Sequence, residues 1–152
     1  MQTTYLSKQG FKELRKEIHQ LEGEIKTITN QIRELGRAKS RDDKLQRSDL
    51  ASALELAQNK LAAHHLTLTT AQPLPRKRDR FRVALGSVVD LVDQQGKLFR
   101  YTIVSSFEAN PSDGRISVES PLGKLLLNRA PQDSISWTLG SRAKQLRLVN
   151  IR

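Results

Sequence analysis

The chain has 152 residues, 37% of them apolar, and a mean hydropathy of −0.54, so it can build one modest core or two small ones. Aromatic residues make up 5%, which argues against a stacking platform for single-stranded nucleic acid, and the absence of cysteine excludes disulfides and thiolate metal sites. Lys and Arg outnumber Asp and Glu by 26 to 16, and a net charge of +10 favours an anionic partner.

The opening residues carry no apolar signal core, and no run approaches the length of a membrane span. A cytoplasmic protein with no membrane partner is the expectation. From Phe11 the large apolar residues fall at Leu14, Ile18, Leu21, Ile25, Ile28, Ile32 and Leu35. Gaps of three and four alternate without a break, so a helix packed along one narrow stripe is predicted, with Ser7 as its N-cap. A second seam runs through Leu50, Leu54, Ala57, Leu61, His64, Leu68 and Ala71. Ser48 reads as its N-cap, and Pro73 with Pro75 ends it. His64 on this seam reads as a small, partly wet packing residue opposite Leu21, and no third ligand stands at metal spacing.

Pairing the two seams antiparallel sets Leu35 against Leu50 and Leu14 against Ala71. The hairpin then turns about residues 42 and 43, which places Asp42 and Asp43 at the end of an arm of roughly 42 Å. Arg37, Lys39, Arg41, Lys44 and Arg47 surround them.

After Pro75 the pattern changes. The segment 76–80, RKRDR, reads as a basic connector. Strands are predicted at 87–92, 98–105, 115–120, 133–139 and 145–151, with turns at 93–97 and 110–114. A short helix over 120–129 is capped by Ser120, with Pro121 at its first position. The expected architecture is α+β: a coiled-coil hairpin over 1–75, then an antiparallel sheet domain with one short helix over 81–152. Residues 76–152 hold 14 basic and 7 acidic side chains, so most of the positive surplus lies in the connector and the sheet domain.

Three stretches carry a family resemblance: LSKQGFKELRKEIHQLE at 6–22, FRVALGSVVDLVDQQGKLFRYTIVS at 81–105, and RISVESPLGKLLLNRAPQD at 115–133. With the hairpin, they make the chain resemble the bacterial Gre transcript-cleavage factors along essentially its whole length. The resemblance implies an FKBP-like C-terminal domain and core RNA polymerase as partner. It implies that the globular domain docks at the rim of the polymerase secondary channel, with Ser120, Pro121 and Leu122 at the contact. The hairpin would pass down the channel to the active centre. In the family, two tip carboxylates three residues apart help to hold Mg²⁺, and the polymerase hydrolyses the 3′ end of backtracked RNA.

Asp43 matches the first family acid, and is the residue the resemblance assigns to a Mg²⁺ shared with the polymerase. Gln46 stands where the second belongs, Arg47 replaces an Asn, Asp49 matches a later acid and Leu50 replaces a Tyr. Three readings of the tip stay open: cleavage through Asp43 with Asp42, modulation of the polymerase without cleavage, and a solvated turn. Arg76, Lys77, Arg78, Arg80 and Arg82 are candidates for contact with nascent RNA or an acidic rim. The chain is expected to be a monomer when free and to act on the polymerase's active site rather than as an enzyme itself. It has no nucleophile–base pair, no Gly-rich phosphate loop and no metal-ligand cluster. A basic coiled-coil protein that binds RNA or the ribosome is the competing class. A prolyl isomerase is disfavoured because no apolar pocket is evident and fold alone does not give function.

Overall fold

The computed structural model describes residues 3–75 and 79–152 and divides into two compact units. One is Lys8–Ala71; the other joins the residues up to Ser7 to Gln72–Arg152.

The first unit is a helical hairpin of α1 (Lys8–Leu35) and α2 (Arg41–Thr70). All eight seam positions of α1 from Phe11 to Leu35 are buried or half-buried, whereas the positions between them are mostly exposed. Burial is deepest at Leu14, Ile18 and Leu21 on α1 and at Ala57 and His64 on α2, and fades to half-burial toward the loop. Full burial of a Leu or Ile contributes about 1.5–3 kcal/mol, so stability is concentrated away from the tip. His64 is buried rather than partly wet, and its Nε2 lies 3.1 Å from Glu17 Oε2, one turn before the expected neighbour Leu21. The glutamate carboxylate thus lies within ion-pair distance of this imidazole nitrogen.

The second helix starts earlier than its apolar pattern suggests. Ser40, not Ser48, is the N-cap, and Ser48 lies within α2. The stretch Arg41–Arg47 has only Leu45 as a large apolar residue, and Leu45 is 64% exposed, so periodicity is silent there. Capping and a run free of Gly and Pro carry the helix instead.

In the second unit, β1 (Tyr5–Leu6) pairs in parallel with β2 (Gln72–Pro73), a contact the sequence patterns do not announce. The main sheet contains β3 (Val88–Val92), β4 (Leu98–Val104), β5 (Arg115–Ser117), β6 (Ser134–Leu139) and β7 (Arg142–Ile151), in the order β5-β4-β3-β7-β6. All pairs are antiparallel except β4–β5, so the expected antiparallel sheet is mixed at one edge. Between them the chain reverses through Asn110 and a single 3-10 turn, Pro111–Asp113, and re-enters β5 running alongside β4.

Strand alternation places Val89, Leu91, Ile103, Ile116, Ile135, Leu146 and Leu148 in one core. The short helix α3 (Pro121–Leu126) closes it with Leu122 and Leu126, four residues apart on one face. Gly123 lies against β5: a Cβ there would come within 2.0 Å of the Ser117 carbonyl oxygen. On β3, between core residues Val89 and Leu91, Asp90 accepts from Arg100 Nε at 2.7 Å and lies 3.7 Å from Arg152 Nη2. The Arg100 hydrogen bond, chiefly, holds its carboxyl below the usual carboxylate range.

Candidate functional site at the hairpin tip

The tip consists of residues 36–40 and the first turns of α2. Gly36, at φ +60°, ends α1, and its N–H donates to Arg33 O at 3.2 Å. A left-handed residue just past a helix is a common stop signal, and glycine adopts that conformation without a Cβ penalty. Ser40 then opens α2 with a capping box: its Oγ accepts from Asp43 N at 3.0 Å, and Asp43 Oδ2 accepts from Ser40 N at 3.1 Å. The same oxygen accepts from Lys39 N at 3.2 Å. Asp42 and Asp43 are therefore in the first turn of α2, beyond the loop, and not at the turning point itself. The apex shifts because helix starts from a cap, whereas the seam pairing assumed that it starts with the first apolar residue.

The two carboxylates have different surroundings. Residues 43, 47 and 50 share one stripe of α2, and 42, 46 and 49 share the neighbouring one, since successive residues turn by about 100°. Asp43 turns back to the loop, and its neighbours on that stripe are Arg47, which donates through Nη1 to Gly36 O, and half-buried Leu50. The backbone N–H groups of Ser40 and then Lys39, with the Ser40 hydroxyl, hold the Asp43 carboxyl below the usual carboxylate range. Asp42 is exposed and makes no hydrogen bond to the described residues, and Gln46 and Asp49 are exposed beside it. Arg41 and Lys44 are exposed as well. Ser40, Gly36 and the loop-holding role of Arg47 were not anticipated, although the Ser40-x-x-Asp43 spacing was a readable capping signal.

Mg²⁺ takes near-octahedral oxygen ligands at about 2.0–2.1 Å. Among the described residues no three His, Asp or Glu side chains come together in a way that could hold a metal ion. At the tip one oxygen of Asp43 already accepts two N–H groups, Gln46 is neutral, and Asp42 diverges. These donors do not fit a cation held by this chain alone.

On the globular unit Ser120 caps α3: its Oγ accepts from Gly123 N at 3.0 Å and donates to Ser117 O at 2.7 Å. Pro121 is exposed, but Leu122 is only 5% exposed and belongs to the core, so it is not available to a partner. A groove of about 640 Å³ runs beside this turn, lined by Tyr5, Ser105, Phe107, Val118, Glu119 and Lys124. Arg80 and Arg82 are exposed, while Arg76, Lys77 and Arg78 lie outside the described residues. No helix among the described residues is long and apolar enough to cross a membrane.

Comparison with known proteins gives these features a family. Residues 78–152 match the family described as transcription elongation factor GreA/GreB, C-terminal. The transcription elongation factor GreA of Sulfurovum sp. (strain NBC37-1) is 31% identical over 149 residues, covering 95% of this chain and 91% of that protein. GreA of Mycoplasma genitalium is 30% identical over 163 residues, covering 96% of both. Among solved structures, GreA factor homolog 1 of Thermus thermophilus is 24% identical, covers 99% of each chain and gives a TM-score of 0.47. The family match and the GreA relatives thus define a transcription elongation factor. The chain belongs to the GreA/GreB family.

Proposed function

We propose that this chain binds core RNA polymerase, inserts its helical hairpin into the secondary channel and modulates paused or backtracked complexes at the polymerase's own active site. The single observation that carries the reading is the capped end of a 28- and 30-residue helix pair, which presents Arg37, Lys39, Arg41, Asp42 and Lys44. Each helix spans roughly 42–45 Å, so such an arm can carry charge into a passage too narrow for a folded domain. The face around Ser120 and Pro121, with its adjoining groove, docks on the polymerase, and Arg80 meets nascent RNA or an acidic surface. The chain makes no bond itself and is a monomer when free.

The test uses the full chain with bacterial core polymerase in halted, backtracked elongation complexes. Binding to core polymerase and a changed rate of escape are expected. If the chain ignores the polymerase but binds bare RNA with a steep loss of affinity in salt, the competing RNA-binding reading replaces this one.

A further inference from the structure

We infer that Asp43 is a positioning residue that holds the tip in shape, and that the tip acts without a divalent cation bound by its own carboxylates. The inference rests on the polymerase reading only for its place of action.

Asp43 and Arg47 occupy one stripe of α2 and grip opposite ends of the five-residue loop. Asp43 Oδ2 takes the N–H groups of Lys39 and Ser40 at 3.2 and 3.1 Å, and Arg47 takes the carbonyl of Gly36. The loop has no apolar side chain larger than Ala38 to hold it by packing, so these polar contacts set its conformation. Asp43 Oδ2 is taken by two backbone donors, which leaves Oδ1 as the one oxygen of this carboxylate that can reach a cation while the loop stays closed, a single ligand where Mg²⁺ wants several at about 2.0–2.1 Å. A second anionic oxygen near Asp43 is missing, because position 46 is a neutral Gln. Asp42 diverges from Asp43 by about 100° around the helix, and Asp49 lies about 9 Å further along it. No pair of these carboxylates converges on one ion. What remains to meet the polymerase is a tip that carries exposed Arg37, Lys39, Arg41 and Lys44 around the exposed carboxylate of Asp42.

The decisive comparison is D43N against D43A in the full chain. Asparagine keeps an acceptor oxygen for the two N–H groups but has no charge, whereas alanine loses both. Three quantities are read: amide exchange at Lys39 and Ser40, slowing of elongation, and release of 3′ RNA fragments from backtracked complexes. Wild type is expected to slow elongation and to release no fragments beyond those of the polymerase alone. D43A should speed exchange at the two amides and weaken the slowing about fivefold, the scale of a lost cap, while binding to the polymerase persists through the globular unit. D43N should restore both. Fragments released by wild type and lost in D43N, with Ser40 still protected, overturn the inference and make Asp43 a charge-bearing ligand. Should polymerase binding itself fail, the proposed function falls but this inference is still decided on the free chain. A saturable Mg²⁺ shift at Asp43 carboxyl carbon overturns it, and an unmoved Asp43 with D43N-protected amides supports it.

Discussion

Replacing Gly123 with alanine sets two opposed effects against each other where α3 meets β5. In an unobstructed helix the change stabilises by up to about 1 kcal/mol, since glycine gives up more backbone entropy. Here the added Cβ would sit 2.0 Å from Ser117 O and 3.0 Å from both Ser117 C and Ser120 Oγ. Two of those atoms are backbone of β5, so rotamer changes cannot relieve the clash. Either β5 or α3 must move by about an ångström, and α3 carries Leu122 and Leu126, which are 5% and 0% exposed in the core. Overpacking of this kind costs about 1–3 kcal/mol, more where only backbone can yield, and it also stretches the Ser120 cap. The clash outweighs the propensity gain, and a net loss of about 2 kcal/mol is expected. For a unit of this size that lowers Tm by roughly 8–16 °C. Trp137, the one tryptophan, lies in the globular unit and reports its melting without contribution from the hairpin. Polymerase binding should weaken in parallel as the Ser120–Pro121 turn shifts. An unchanged or raised Tm by Trp137 fluorescence would refute the close approach of α3 to β5.

Three further outcomes are expected. Asp90 has a folded-state pKa below its ordinary 3.8, chiefly through Arg100, so its pairing stabilises the sheet fully above that value and is lost as pH falls through the lower folded one. Between neutral pH and pH 3, D90N should therefore show a flatter stability profile than wild type, and at pH 7 a loss of about 1–3 kcal/mol in urea unfolding; equal slopes refute the role. Ser40→Ala removes the acceptor for Asp43 N and should cost about 1 kcal/mol of α2 stability, read as faster exchange confined to the first turn of α2. His64→Leu replaces a buried imidazole with a side chain of similar size, and should raise hairpin stability by roughly 1 kcal/mol in thermal melts followed at 222 nm. A drop in that melt would mean that the contact with Glu17 contributes more than apolar burial.

Most of the fold could be read directly from side-chain spacing. The seam of α1 is a strict alternation of three and four because a single apolar stripe is the only way a thin hairpin keeps water out, and all eight positions are at least half-buried. The strand around Leu146 and Leu148 alternates because one face meets a core and the other meets solvent. The α3 cap followed from Ser120 and Pro121 alone. Local chemistry settled these elements, since each depends on neighbours a few residues away. The rest needed contacts between distant parts of the chain. Nothing in Tyr5–Leu6 announces a parallel partner at Gln72–Pro73, and β5 runs parallel to β4 only because the turn at Asn110–Gly114 returns it alongside. At the tip the acids themselves were plain to see. Whether each is free or engaged depended on where α2 begins, and a polar helix start carries no apolar period to mark it. Asp43 turns inward to the loop while Asp42 faces water because a hydrogen-bond acceptor goes to the unpaired N–H groups three and four residues before it, a local choice, whereas the strand pairings across long stretches of chain were settled only by the tertiary structure.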